Sequence, residues 1–220
     1  MSSKSYQSTS SDEHFPLISI LGRRSRLSVL RCLYRNASGL SGRETGRQSK
    51  LSHQTAVRAL NGLFDLGVVS RESFPPAYRY SLNRDHWAVK EIILPALEKE
   101  GGWIDRLVQE VAAPLPEGMV SLVLYGSAAR GRLKPGSDID LLALVADAAR
   151  KAEAEDHFAA RSTELFPRYK RHVSILTHTV SDFKSLYRKG NRFAREAAKT
   201  GRVVWGKLLT EVLFDGAKTR

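Results

Sequence analysis

Cysteine is almost missing from this 220-residue chain. Cys32 stands alone, so no disulfide can form within the chain, and a reducing compartment suits it. Long apolar runs are missing too. None reaches the roughly 20 residues that a helix needs to span a bilayer, so no membrane role is expected. Residues 1–16 are polar and Ser-rich. They lack the apolar stretch of a signal peptide and read as a disordered tail. The expectation from these absences is a soluble, cytoplasmic protein. No internal repeat is visible, which excludes solenoids and propellers.

Acidic residues are scarce in two blocks. Residues 17–83 hold 11 Lys/Arg against 3 Asp/Glu, a net +8, and residues 160–220 hold 14 against 5, a net +9. Between them, residues 84–159 hold 9 against 13, a net −4. Two basic blocks flanking an acidic middle suit polyanionic partners, either a nucleic-acid backbone or nucleotide phosphates. The alternative is solubilising surface charge. Hydrophobic residues make up 42% of the chain, enough for each half to bury a core.

Residues 17–83 read as three short helices and a hairpin. Leu27, Leu30 and Tyr34 fall at helical spacing in 24–34. Ser41 with Glu44 three positions on is a capping box that opens a second helix. Ser52 is an N-cap for a third helix, 53–66, with Val57, Leu60, Leu63 and Phe64 as its apolar stripe and Gly67 as its end. Two strands, 68–72 and 77–82, are joined by a turn at Ser73-Phe74-Pro75-Pro76. Residues 84–117 read as a helical connector of two helices broken at Gly101-Gly102, the first kinked or shortened by Pro95. Residues 118–220 alternate strand and helix: strands at 119–125, 137–145 and 171–177, helices at 147–166 and 181–200, and a short closing strand at 203–205.

The first pattern resembles the winged helix-turn-helix of bacterial MarR- and ArsR-like regulators. The likeness covers about a third of the chain, through the patterning and the Leu66-Gly67-Val68-Val69-Ser70-Arg71-Glu72 and Tyr78-Arg79-Tyr80-Ser81-Leu82-Asn83 segments. It implies duplex DNA as a partner, with the third helix in the major groove. Ser52, His53, Gln54, Thr55 and Arg58 lie at the outer, N-terminal part of that helix. Gln54 suits an adenine edge, Arg58 a guanine or a phosphate, and Arg71 and Arg79 on the wing the backbone or minor groove. For each the alternative is an ordinary solvated residue. In such regulators a helix after the wing often makes a homodimer contact. Packing within its own domain explains a stripe in 84–117 equally well.

The chemistry lies in Gly126-Ser127-Ala128-Ala129-Arg130-Gly131, followed by Gly136-Ser137-Asp138-Ile139-Asp140-Leu141-Leu142. Glycine at a strand end lets backbone approach a phosphate, and the Ser127 hydroxyl can donate to its oxygens. Asp138 and Asp140 are two apart, so strand alternation turns both carboxylates to one face. Paired carboxylates repel unless a cation sits between them, and Mg²⁺ (or Mn²⁺) takes carboxylates together with substrate phosphates.

This run resembles the signature of the DNA polymerase β-like nucleotidyltransferases, in particular the minimal bacterial ones: Gly-Ser, a spacer of roughly ten residues, then Asp-x-Asp. The resemblance covers about the last 105 residues. It implies that Gly126, Ser127 and Arg130 hold the phosphates of an NTP and that Asp138 and Asp140 hold the metal. The implied reaction is transfer of a nucleoside monophosphate to a hydroxyl. Active members usually carry a third carboxylate on a later strand, and the matching position is Ser174. A serine hydroxyl is a poor metal ligand and no base at neutral pH. His172 is an alternative base, and Asp182 reads as a helix N-cap.

The expected architecture is therefore α+β: a winged helix-turn-helix followed by a small α/β nucleotidyltransferase-fold domain with a mixed sheet. Two functions stay open. One is a Mg²⁺-dependent nucleotidyltransferase. The other is a catalytically weak or inactive nucleotide-sensing transcriptional regulator.

Overall fold

The computed structural model describes residues 17–134 and 136–214. The tail at 1–16 therefore lies outside the described residues, as does Pro135 in the signature loop. The chain divides into two compact units, one up to Gly101 and one from Gly102 onward. The division falls inside the stretch read as a connector, at the expected Gly101-Gly102 break.

In the first unit α1 (Leu17–Leu21) and α2 (Arg24–Arg35) lead to a short strand β1 (Leu40–Ser41), then α3 (Gly42–Ser49) and α4 (His53–Asp65). The hairpin β2 (Val69–Phe74) and β3 (Ala77–Leu82) follows. The three strands form an antiparallel sheet in the order β1-β3-β2. The local codes act as physical chemistry requires. Ser41 accepts from the Glu44 N–H, and the Glu44 carboxylate accepts from the Ser41 N–H, which satisfies two orphan donors of α3. Ser52 accepts from the Thr55 N–H to start α4, and the Gly67 N–H returns to the Phe64 carbonyl to end it. The hairpin strands run on to Phe74, so the turn is only Pro75-Pro76.

The apolar stripe of α4 differs from its reading in the sequence. Ala56, Ala59, Leu60 and Leu63 are buried, while Val57 is only partly covered and Phe64 is exposed. The small alanines let α4 sit close to its neighbours, and this turns the buried face away from Phe64. Leu60 and Leu63 pack with Val29, Leu30 and Leu33 of α2 and with Val68, Tyr80 and Leu82. After the hairpin, a π-helical turn (Val89–Ile93) runs into α5 (Leu94–Gly101). Pro95 lies just past the π-helical turn, inside a continuous helical run, where the hydrogen-bond ladder already departs from the regular α pattern. Ile93 and Leu97 close the same core.

The second unit opens with α6 (Trp103–Ala112), β4 (Met119–Tyr125) and a single turn α7 (Gly126–Ala129). Then come β5 (Ile139–Val145), α8 (Ala148–Tyr169), β6 (Val173–Thr179), α9 (Val180–Arg188), α10 (Arg192–Thr200), β7 (Arg202–Gly206) and α11 (Leu209–Phe214). The sheet order is β6-β5-β4-β7. It is mixed: β5 runs parallel to β6 and antiparallel to β4.

Alternation along the strands builds two cores. Leu122, Leu124, Ile139, Leu141 and Val145 face Leu107 and Val111 of α6 and Phe158 of α8. Val123, Leu142 and Leu144 face Phe183 of α9, Ala194 and Ala197 of α10, and Val212 of α11. The apolar stripe of 84–117 is thus spent on two separate cores, each within its own unit.

Two readings of this half are corrected. The helix expected over 181–200 is two helices, because Gly190 (φ +76°) turns the chain and Asn191 caps α10. The N-cap of α9 is Thr179 rather than Asp182; Asp182 lies in the first turn and gives its N–H to the Thr179 hydroxyl. Among the described residues no helix is long and apolar enough to cross a membrane.

Candidate functional site

The Gly-Ser turn and the Asp-x-Asp segment meet at the end of the central strand pair. Tyr125, the last residue of β4, is paired with Asp140, the second residue of β5. Gly126 takes φ +70° just beyond, and a Cβ there would collide with the Asp140 carboxylate. The loop can pass over Asp140 only because the residue is glycine. Asp138 lies exposed immediately before β5, and Asp140 is partly buried. Burial raises the Asp140 carboxyl above its ordinary range, the Asp138 charge adds to the rise, and Arg130 opposes it. Burial is the larger of the two raising causes and the Asp138 charge the smaller.

Arg130 leaves α7 and forms an ion pair with Glu196 of α10. Both side chains are more than a third exposed, so the pair contributes only about 0–1 kcal/mol and yields readily to a stronger anion. Tyr125 stacks edge-on against Phe193 at 5.1 Å between ring centroids. Burial, with Asp140 and Glu196 nearby, pushes its phenol up to about 12. Tyr125 is therefore a neutral hydrogen-bonding group at physiological pH, not a phenolate. A cleft of about 470 Å³ opens here, lined by Tyr125, Gly126, Asn191, Arg192, Phe193 and Glu196.

Ser174 is the Cα partner of Asp140 across the parallel β5–β6 pair. Paired positions turn their side chains to the same face, so Ser174 lies beside Asp140 and offers only a hydroxyl. His172 does not share that position. It precedes β6, and its ring stacks on Phe166 at 4.3 Å. Among the described residues, no three His, Cys, Asp or Glu side chains gather into a metal-ligating cluster. Two carboxylates, Asp138 and Asp140, could hold a divalent cation only together with ligands from phosphate and water. They do not fit a fully protein-ligated ion.

Tyr125, Phe193, Asn191 and Glu196 were not singled out from the sequence as site residues. Phe193 and Glu196 lie within the helix expected over 181–200 in the second basic block, and the turn at Gly190 selects which part of it reaches the cleft.

In the first unit, Gln54, Thr55 and Arg58 of α4 line a groove of about 610 Å³ together with Arg23, Arg26 and Asn61. The Ser52 and Thr55 hydroxyls bond each other at 2.8 Å in the cap of α4, while His53 is exposed. Arg71 lies over both Phe64 (4.4 Å) and Tyr78 (4.6 Å), and Arg79 over Phe74 (4.3 Å). Arg79 also donates to the Ser38 carbonyl. Phe64 therefore serves as a platform for Arg71 rather than as core. Arg23, Arg26 and Asn61 were missed in the sequence, because their place beside α4 depends on how α2 packs.

Comparison with known proteins gives four findings. A toxin–antitoxin crystallised with AMP-PNP is similar at 16% identity and a TM-score of 0.33, over 50% of this chain and 79% of that one. The AntR antimony-specific transcriptional repressor is similar at 19% identity and a TM-score of 0.36, over 50% of this chain and 99% of that one. No curated protein matches. The family model for the nucleotidyltransferase domain matches residues 104–197, from α6 into α10. The Gly126 turn, Asp138 and Asp140 all lie inside the segment that is similar to this nucleotidyltransferase-domain model.

Proposed function

We propose that the second unit binds a nucleoside triphosphate together with Mg²⁺, and that the first unit is a winged helix that binds duplex DNA. The observation that carries the nucleotide reading is the contact of the Gly126 turn with the Asp140 carboxylate. On this reading the loop that would accept the phosphates lies directly against the carboxylate that would take the cation. Gly126 and Ser127 would hold the phosphates through backbone N–H groups and the Ser127 hydroxyl. Arg130, released from Glu196, would add a charged donor. Asp138 and Asp140 would hold the metal, which when bound neutralises phosphate charge and aligns the triphosphate.

In the transferase reading, an acceptor hydroxyl oxygen bonds to the α-phosphorus. The bond to the α,β-bridging oxygen breaks, pyrophosphate leaves, and the hydroxyl proton must be taken up. Ser174 cannot take it. This supports a second reading, in which the nucleotide is bound and sensed without efficient turnover. Incubation with NTP labelled at the α-phosphate, together with candidate hydroxyl acceptors, separates the two. Label transfer with release of pyrophosphate marks an enzyme. Tight binding without label transfer marks a sensor.

The DNA reading is supported by the basic charge of 17–83 and by the exposed Arg58 on α4 and Arg71 on the hairpin; Arg79 is partly buried on the hairpin's other face. Duplex binding should weaken steeply with salt, roughly in proportion to the phosphates neutralised. Arg58→Ala and Arg71→Ala should each weaken it several-fold in a gel shift. Equal affinity for the two variants and the parent would reject this reading.

A further inference from the structure

We propose that the cleft between Gly126 and the start of α10 receives the nucleobase of the bound triphosphate, with the Phe193 ring as its stacking surface. The inference rests on the nucleotide reading above and adds where the nucleoside lies. The cleft, at about 470 Å³, falls within the range of small-ligand pockets, roughly 300–1,000 Å³. Gly126 is both part of its lining and the first residue of the phosphate turn. A ligand whose phosphates rest on that turn therefore reaches the cleft without a gap.

Phe193 is held in place before any ligand arrives. It is the second residue of α10, whose start is fixed by the Asn191 side chain accepting from the Ala194 N–H. Its ring packs in part against the core formed by Val123, Leu142 and Ala194. Tyr125 meets it edge-on at 5.1 Å, and His178 lies on a tilted ring contact at 6.1 Å. A ring pinned from two sides loses little freedom when a base stacks on it.

The rest of the lining suits a nucleoside better than an apolar ligand. Arg192 and Glu196 bring a donor and an acceptor to the same space as the two rings, matching a flat base with polar edges joined to a hydroxyl-bearing sugar. Every base has a π-face, so Phe193 by itself strengthens binding of all four nucleotides without choosing among them.

The test is calorimetry on the full-length protein with Mg²⁺, comparing ATP, GTP and inorganic tripolyphosphate. The parent protein should bind both nucleotides more tightly than tripolyphosphate. Phe193→Leu keeps the apolar volume under α10 and removes the aromatic face. It should lose roughly ten-fold in affinity for ATP and GTP, with tripolyphosphate binding unchanged, and Phe193→Trp should retain nucleotide affinity. Unchanged nucleotide binding in Phe193→Leu, or an equal loss for tripolyphosphate, would overturn the proposal. So would a parent protein that binds tripolyphosphate as well as ATP; the phosphate site would then stand without a base subsite. Binding of neither ligand would remove the nucleotide reading itself. A single-stranded oligonucleotide weakened by Phe193→Leu while NTP binding is untouched would assign the cleft to an acceptor and overturn the proposal.

Discussion

Strands β5 and β6 lie side by side, parallel and in register, yet only one of them carries acid chemistry. In β5 every residue from Leu141 to Val145 is buried, with Asp140 the single partly open position. In β6 burial alternates: Val173, Thr177 and Thr179 are covered, while Ser174 and Leu176 are exposed. The central strand clamps its carboxylate on a rigid frame, beneath a glycine that admits no side chain. The edge strand presents a hydroxyl at the aligned position. On the proposed reading, β5 would hold the metal and the phosphates, and the residue at the aligned position of β6 would decide whether an acceptor proton can be taken.

The largest expected effect comes from exchanging the roles of the aligned pair. Asp140→Asn should lower Mg²⁺-dependent NTP affinity by roughly 100-fold or more, since losing a metal ligand exceeds the 10–100-fold typical of its supporting groups. Ser174→Ala should leave that affinity within about two-fold, because a neutral hydroxyl contributes little as a metal ligand. A comparable loss in both variants, measured by calorimetry, would erase the contrast.

Next in size is Ser174→Asp, which gives the edge strand the acid it lacks. Metal-dependent NTP affinity should rise roughly ten-fold, the scale of one added charge partner at a metal-binding site. Label transfer from α-labelled NTP should rise with it. Without Mg²⁺ the same variant should melt at a lower temperature, since a third negative charge joins two that already repel.

The smallest effect is on stability. Asp140 holds its proton more tightly in the folded chain than in the unfolded one, through burial and then Asp138. A carboxyl shifted upward costs stability as pH rises from the unfolded value, about 4, to the raised folded value, and the loss persists above it. Asp140→Asn escapes this cost. Without Mg²⁺ it should melt at a higher temperature than the parent at pH 7, and the difference should vanish at pH well below the ordinary carboxylate range. Ser174→Ala should show no such pH dependence. Equal melting of Asp140→Asn and parent across the range would show that the carboxylate pair is not strained.

Much of this arrangement was legible in the sequence, for definable reasons. Caps and punctuation act locally, so Ser41 with Glu44, Ser52, Gly67 and the Gly101-Gly102 break could be read directly. The meeting of the Gly126 turn with Asp140 was legible because glycine beside a strand end and acids two apart carry their geometry with them. Where tertiary packing decides, the reading slipped. Ala56 and Ala59 let α4 approach closely and turned its buried face away from Phe64. A single glycine at 190 cut one expected helix into two, and so brought Phe193 and Glu196, but not Arg188, to the cleft. Ser174 stood at the third-carboxylate position by resemblance, but its register beside Asp140 depends on the β5–β6 pairing, which no local pattern carries. The stacking of His172 on Phe166 was not, because it depends on where α8 ends.

The central claim is that the Gly126 turn and the two aspartates form one nucleotide–metal site. Its most direct test is calorimetric titration of ATP and GTP into the parent protein and into Asp138→Asn/Asp140→Asn, each with Mg²⁺ and with EDTA. The account predicts binding in the parent that requires Mg²⁺ and is lost in the double variant. Nucleotide binding that persists in EDTA, or that is equal in parent and double variant, would contradict it.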